Sequence, residues 1–446
     1  MSTLYVANTD TVAMAPDASG LTDHFLQKAA TSAKRMVWMA GSDDHIVTPT
    51  PVSKGFLEYV ARLKGESSPP KASAAAESPS VRPLPLHESI LSERSDLAGE
   101  LKVPAHSDPF ERVHPYIADE VALAFAQTAE TVVSFSKGEA PCRPLVTLHL
   151  NDKVTFRDFA CLLDVPIAPG STATSTSQLI DSVSKLLSLT GSVIVKMGRH
   201  SSGEGNLIAS TAAIPKPQGA ADFVTIVDAH DAGLEAALRR CRICVGPEAP
   251  VVVEAYYEND SCFGLHFHVA DAGADLLGAA EQLNRPTVGG QLWSLNVLAG
   301  VPSKVRIWGQ KLANYAHALG YRGPFSVDII DGVSVGHVVT EVNGRHGGFS
   351  TIRALIKGIG LLEDVEKGKR VVLTHHGLQL RATFNAAVAQ LTAAGLHYDP
   401  LSRQGAILMT EGHLDKGPYD IVIVANSHKY AQSLERDLLK IAERSR

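Results

Sequence analysis

Two short apolar runs, Phe325 to Ile330 and Val335 to Val342, flank the dipeptide Asp331-Gly332, and this arrangement restricts the chain more than any other segment. Alternating apolar residues on either side of Asp-Gly predict two antiparallel strands joined by a tight reversal. Period-2 geometry then fixes which side chains share a face. Asp328 lies on the first strand, Glu341 on the second, and Asn343 and Arg345 follow at two-residue steps. Two carboxylates and one amide oxygen are hard ligands in the small number that magnesium accepts when phosphates and water complete its octahedron. The planar fork of Arg345 can reach a phosphoryl group beside them. A carboxylate in a hairpin is usually a solvated surface residue. Asp328, however, sits inside Phe-Ser-Val-Asp-Ile-Ile, where an uncompensated charge is costly and a cation partner is the economical explanation.

A chain of 446 residues exceeds one compact core and implies two or three domains. The net charge of -6 excludes a broadly basic nucleic-acid surface, so any anion site must be local. The first residues lack a basic region followed by an apolar core, and no apolar run is long enough to span a bilayer, which implies a cytoplasmic protein with no membrane partner. Five cysteines, an odd number, argue against a disulfide framework. Cys241 and Cys244 form a lone CxxC on a helix-like stretch and read as helix packing rather than as a redox or zinc site.

Alternating strand and helix signals indicate an α/β chain. Residues 1–150 are expected to form an N-terminal α/β unit. Its signals are strands at Thr3 to Ala7, Arg35 to Ala40 and Leu145 to Leu150, and helices at Pro51 to Leu63 and Ile117 to Val133. Residues 65–85 have too little apolar content to pack and are expected to be a mobile insertion. The second unit, residues 151–370, begins at Asn151-Asp-Lys153, enters one helix, and continues into another carrying Leu179, Val183 and Leu187 at helical spacing. The strand Ser192 to Lys196, a Gly/Ser-rich loop containing Ser201, Ser202 and Gly203, and the strand Leu207 to Ser210 make a flap whose amides can wrap phosphate oxygens. Lys196 supplies a point charge there. Val251 to Glu258 is a strand with a polar exit; Glu254 could meet the exocyclic amine of a purine, Tyr256 lies beside it, and Glu258 could reach ribose hydroxyls. His266 and His268 alternate on the next strand and read as sheet-surface residues. Residues 371–446 carry strand and helix signals of a small C-terminal α/β domain, in which His375 and His376 show no chemical pattern.

Taken in order, Lys153 entering a helix, Val-Ile-Val-Lys196 with its small-residue loop, Val-Val-Val-Glu254, and Asp328 with Glu341-x-Asn343-x-Arg345 resemble the ATP-grasp superfamily. The resemblance spans about residues 151–365, and the hairpin is its most specific part. It implies an ATP-grasp fold with a pre-ATP-grasp domain ahead of it, ATP and Mg2+ as cofactors, and an ADP-forming carboxylate-amine ligase acting through an acyl phosphate. Lys153 and Lys196 would contact ATP phosphates, together with the loop residues Ser201, Ser202 and Gly203. Glu254 would meet the adenine amine, and Asp328, Glu341 and Asn343 the metal ions. Arg345 would steady the acyl phosphate. The ribose position departs from the family pattern, because Ser261 and Cys262 occupy the usual region and Glu258 comes early.

The flanking regions resemble ligases of peptide natural-product pathways of the pheganomycin peptide-ligase type. That likeness implies an amino acid or related carboxylate as one substrate and an amine or peptide as acceptor. Carrier-protein loading and a nucleotide-binding module without turnover are the alternatives. Arg285, Arg345, Gly347 and Gly348 are candidates for substrate binding. The assembly is not fixed by the sequence; a homodimer is compatible with it.

Overall fold

The computed structural model describes residues 2–9, 23–74, 109–200, 203, 205–215, 217–284, 289–412 and 417–444. Three sheets organise the described residues. In the N-terminal sheet the strands Lys71–Ala74, His45–Thr48, Thr3–Val6 and Arg112–Pro115 lie side by side, all parallel. Parallel pairing demands crossover connections. The amphipathic helix Lys54–Lys64 is one of them, starting at the Ser53 cap, whose hydroxyl accepts from the Phe56 amide.

Three readings of this region need correction. Lys34–Trp38, expected to lie in a strand, is a 3₁₀ helix that buries Met36, Val37 and Trp38. Pro144–Leu150, also expected as a strand, is a helix with proline in its first turn, where a missing amide hydrogen costs nothing. The stretch from 65 to 85 is not wholly an insertion: Lys71–Ala74 pairs in register with His45–Thr48 at the sheet edge, and residues 75–85 lie outside the described part.

The five-stranded sheet runs Gly170–Ala173, Val251–Ala255, Ser192–Met197, Asn206–Ser210 and Asp222–Thr225. Its core packs under the helix Thr176–Thr190, capped by Ser175, which contributes Leu179, Val183, Leu186 and Leu187. The helix Ala232–Arg240 ends at Cys241, and Cys241 and Cys244 are free thiols.

The largest sheet has eight strands, every adjacent pair antiparallel. In order they are Gly336–Asn343, Gly323–Gly332, Asn259–Ala270, Gly273–Asn284, Gly289–Trp293, Val371–Leu378, Tyr419–Ala425 and Gly405–Leu408. The three strands contributed by residues 371–446 thus continue the sheet that carries the hairpin. The seam between the halves is tight: a Cβ at Gly290 would stand 2.2 Å from the Thr374 carbonyl oxygen, so no larger residue fits there. Two apolar cores flank this sheet. One gathers Leu265, Phe267, Phe325 and Val327 beneath the hairpin; the other joins Trp38, Phe56, Phe349, Val372 and Ile423 and ties the N-terminal unit to the C-terminal strands.

Candidate active site

The hairpin forms as expected, with one adjustment at its tip. The ladder closes at Gly332 opposite Gly336, so Val333, Ser334 and Val335 make the reversal rather than Asp331-Gly332. Asp328 and Glu341 are direct cross-strand partners. A bulge between Asp328 and Ile329 absorbs one residue, which turns the thirteen-residue separation into face-to-face pairing.

A cavity of about 480 Å³ opens above this pair, between the hairpin, the five-stranded sheet and the N-terminal unit. Its walls include Lys153, Lys196, Gly203, Glu254, Tyr256, Asp328, Glu341, Asn343, Arg345, Gly347 and Gly348. Most of the residues singled out from the sequence therefore meet in one place. Glu258 is exposed and does not line the cavity; its neighbour Asn259 does. Ser201, Ser202 and Arg285 lie outside the described residues.

The charges in the cleft hold one another. Lys153 begins the helix Lys153–Leu162, and its ammonium donates to the His200 carbonyl at 2.8 Å and stands 3.1 Å from Glu341 Oε2. Lys196 ends its strand with its ammonium 2.6 Å from Glu254 Oε2. Arg157 grips the other oxygen of the same carboxylate. Glu254 is therefore a buried counter-ion for two cations. Tyr256 uses its hydroxyl to accept from the Gln218 amide at 3.0 Å.

Around Asp328 the donors are amides. Gln282 Nε2 donates to Oδ1 at 3.2 Å and Asn343 Nδ2 to Oδ2 at 3.3 Å, while Arg345 donates to the Asn343 oxygen. Burial pushes the Asp328 carboxyl up from its ordinary range, and the adjacent Glu341 charge pushes it further. Burial also acts on Glu341, but Lys153 and Arg345 outweigh it and hold that group below its usual value. Two carboxylates at one spot with a single net proton vacancy suit a divalent cation, whose charge would replace the proton on Asp328. Among the described residues no cluster of three or more His, Cys, Asp or Glu side chains is placed to hold a metal. Asp328, Glu341 and the Asn343 oxygen fit Mg2+ only as an open set to which phosphate oxygens are added.

Several contributors were missed in the sequence. Arg157 stands one helical turn beyond Lys153, so i, i+4 spacing could have revealed it. Gln282 reaches Asp328 from the strand on the far side of Asn259–Ala270, a contact no local pattern encodes. Gly264, directly opposite Asp328, leaves room for the His266 ring: a Cβ there would lie 2.9 Å from His266 Nε2. From the N-terminal unit, Thr9, Arg35 and Tyr116 complete the cleft.

Comparison with known proteins agrees with this architecture. Residues 33–130 match the Pre ATP-grasp domain family, and residues 386–438 match the PGM1 C-terminal domain family. No curated protein matches the chain by sequence. Among solved structures, the ADP complex of an N5-carboxyaminoimidazole ribonucleotide synthetase is similar with a TM-score of 0.56 and 11% identity, over 100% of this chain and 97% of the other. An L-amino acid ligase from Bacillus licheniformis gives 0.53 and 13%, over 98% and 96%. A biotin carboxylase from Campylobacter jejuni, in a complex with a β,γ-ATP compound, gives 0.57 and 12%, over 99% and 95%. The chain has the ATP-grasp fold, preceded by a pre ATP-grasp domain.

Proposed function

We propose that this protein is an ATP-dependent carboxylate-amine ligase that forms an amide bond and releases ADP and phosphate. The observation that carries the reading is the convergence of Asp328, Glu341 and Asn343 with Lys153, Lys196 and Arg345 in one cleft that opens toward the N-terminal unit. Mg2+ held by the two carboxylates and Asn343 would neutralise charge on the nucleotide phosphates. Binding of the nucleotide phosphates would draw Lys153 away from Glu341 and Lys196 away from Glu254, so the internal ion pairs keep these cations positioned until they are needed.

The acid carboxylate attacks the γ-phosphorus and the bond to the β-bridging oxygen breaks, giving acyl phosphate and ADP. The amine nitrogen then bonds to the acyl carbon, and phosphate leaves with the electron pair of the carbon–oxygen bond. The contribution of the chain is positioning and charge neutralisation, with Arg345 on the acyl phosphate. The acid we assign is an amino acid or related carboxylate, and the acceptor an amine or peptide, as in peptide natural-product assembly. The similarity to an L-amino acid ligase supports this class. Screening mixtures of amino acids and short peptides for ADP release tests it. Glu341→Ala should lower carboxylate-dependent ADP release roughly a thousandfold; unchanged turnover would overturn the reading. Arg345→Ala should impair ligation more than ATP affinity.

A further inference from the structure

A second cavity, of about 500 Å³, lies on the same face of the eight-stranded sheet. Along the strand Asn259–Ala270 the even-numbered residues face the cleft. Gly264, His266 and His268 pair with Asp328, Ser326 and Pro324 respectively. The first cavity occupies the Asp328 end of that row and the second the Pro324 end. Ser326, His266, Arg345 and Gly347 line both, so the two spaces meet at Arg345.

The second cavity has a direction. The helix Gly348–Gly358 forms one wall, beginning beside Gly347 at the junction and ending at Lys357 and Gly358, which also line the space. Ten residues of helix between Gly347 and Lys357 span about 15 Å, the reach of about three extended residues with a hydrogen-bond contact at each end. The wall between mixes the apolar rings of Phe349, Trp38 and Phe135 with the imidazoles of His114, His268 and His346. At the far end stand three cations, Lys64, Arg353 and Lys357, against one carboxylate, Glu66, which Lys64 already pairs at 2.7 Å. Arg353 is engaged by Glu366 at 3.1 Å. Lys357 is exposed and makes no ion pair among the described residues.

The geometry points to this cavity as the acceptor subsite: it takes a short peptide of about three residues with a free C-terminal carboxylate, its amine at Arg345 and its carboxylate at Lys357. The inference rests on the ligase reading and adds the place and chemical class of the nucleophile. The peptide amine enters past Gly347, where a Cβ would meet nothing within 4 Å. It attacks the acyl phosphate from the side opposite Lys153 and Lys196, phosphate departs, and the amine proton leaves with it. The carboxylate charge at the far end offsets the surplus of cations there.

Hydroxylamine, small enough to need no subsite, separates the two claims. Wild-type protein with Mg-ATP, mixed amino acids and hydroxylamine should accumulate hydroxamate; none with any acid would overturn the ligase reading and the subsite with it. An equimolar mixture of tripeptides with free C-termini should divert acyl phosphate from hydroxylamine. Its C-amidated counterpart should need about tenfold higher concentration for the same diversion. Lys357→Glu, on the surface, and Ala354→Phe, which fills the middle of the cavity, should each raise the diverting concentration about tenfold while hydroxamate yield without peptide stays at the wild-type level. Equal diversion by both mixtures, or by wild type and both variants, overturns the subsite and leaves the ligase standing.

Discussion

Two aspartates on one sheet are driven in opposite directions. Asp328, near one edge, faces Glu341 and has its carboxyl pushed up by burial and by that neighbour. Asp420, on the strand Tyr419–Ala425 toward the other edge, is buried too, yet Arg35 and His376 outweigh burial and hold it far below the ordinary range. Arg35 reaches it through Nη2 at 2.7 Å and Nε at 3.0 Å, and the Gly377 amide donates at 3.2 Å. Every residue from Tyr419 to Ala425 is buried. At that end buried polar groups are partnered within the chain: Lys34 with Glu411 at 2.8 Å, and the His375 ring with Glu435 at 3.1 Å. At the hairpin end the two carboxylates stand together, with Lys153 on Glu341 and amide donors on Asp328. One end is built for stability, the other keeps an unfavourable charge arrangement that a cation would relieve.

Removing Asp420 gives the largest expected change in stability. Asp420→Ala leaves the half-buried Arg35 without its counter-charge and should destabilise the protein by about 2–3 kcal/mol, read by chemical denaturation. Because the folded carboxyl is depressed, the stabilisation it provides is present above the unfolded carboxylate value of about 4 and lost as pH falls below it. An Asp420→Ala protein that unfolds like wild type at neutral pH would break the contrast between the two ends.

Asp328→Asn should act in the opposite sense. The folded Asp328 carboxyl is raised, so folding holds a proton that the unfolded chain releases, and stability declines as pH climbs above about 4. Replacing it by the neutral isostere removes that loss. The metal-free variant should be more stable than wild type by about 1–2 kcal/mol at pH 8 and equal to it near pH 4, while carboxylate-dependent ADP release collapses. Thermal melts at the two pH values read the first effect, and a variant less stable than wild type at pH 8 would show that Asp328 belongs with the paired charges of the other end.

Much of the hairpin was legible because its information is local: alternation fixed the shared face, and the acidic residues interrupted apolar runs. The bulge after Asp328 was not, although it is what brings Asp328 opposite Glu341. Strand readings failed where an apolar cluster had no unique period. Arg35 to Ala40 is a continuous apolar run after its first residue, which suits a buried strand, but its buried residues Met36, Val37 and Trp38 lie on a 3₁₀ helix. Leu145 to Leu150 followed a proline that starts helices readily. The continuation of the hairpin sheet into residues 371–425 depends on Leu292 pairing with Leu373 and Trp293 with Val372, partners far apart in sequence that no window could join. Gln282 stayed hidden for the same reason, since it matters through a residue on another element, whereas Arg157 carried a local signal in its i, i+4 spacing from Lys153.

The smallest effect concerns magnesium itself. With Asp328 raised and Glu341 lowered, the metal-free pair carries close to one proton at neutral pH, and a cation must displace it. Binding should therefore release about one proton below the folded Asp328 value, and apparent affinity should rise by up to about tenfold per pH unit, levelling once that carboxyl is ionised. Calorimetry in two buffers of different ionisation enthalpy counts the protons. Asp328→Asn should release none, because Glu341 is already ionised by Lys153 and Arg345, and it should bind the metal with an affinity that hardly moves between pH 6 and 8. A proton count of zero in wild type would mean that the two carboxylates do not share a proton. The distinction between a satisfied and an unsatisfied end of the sheet would then have to rest on packing alone.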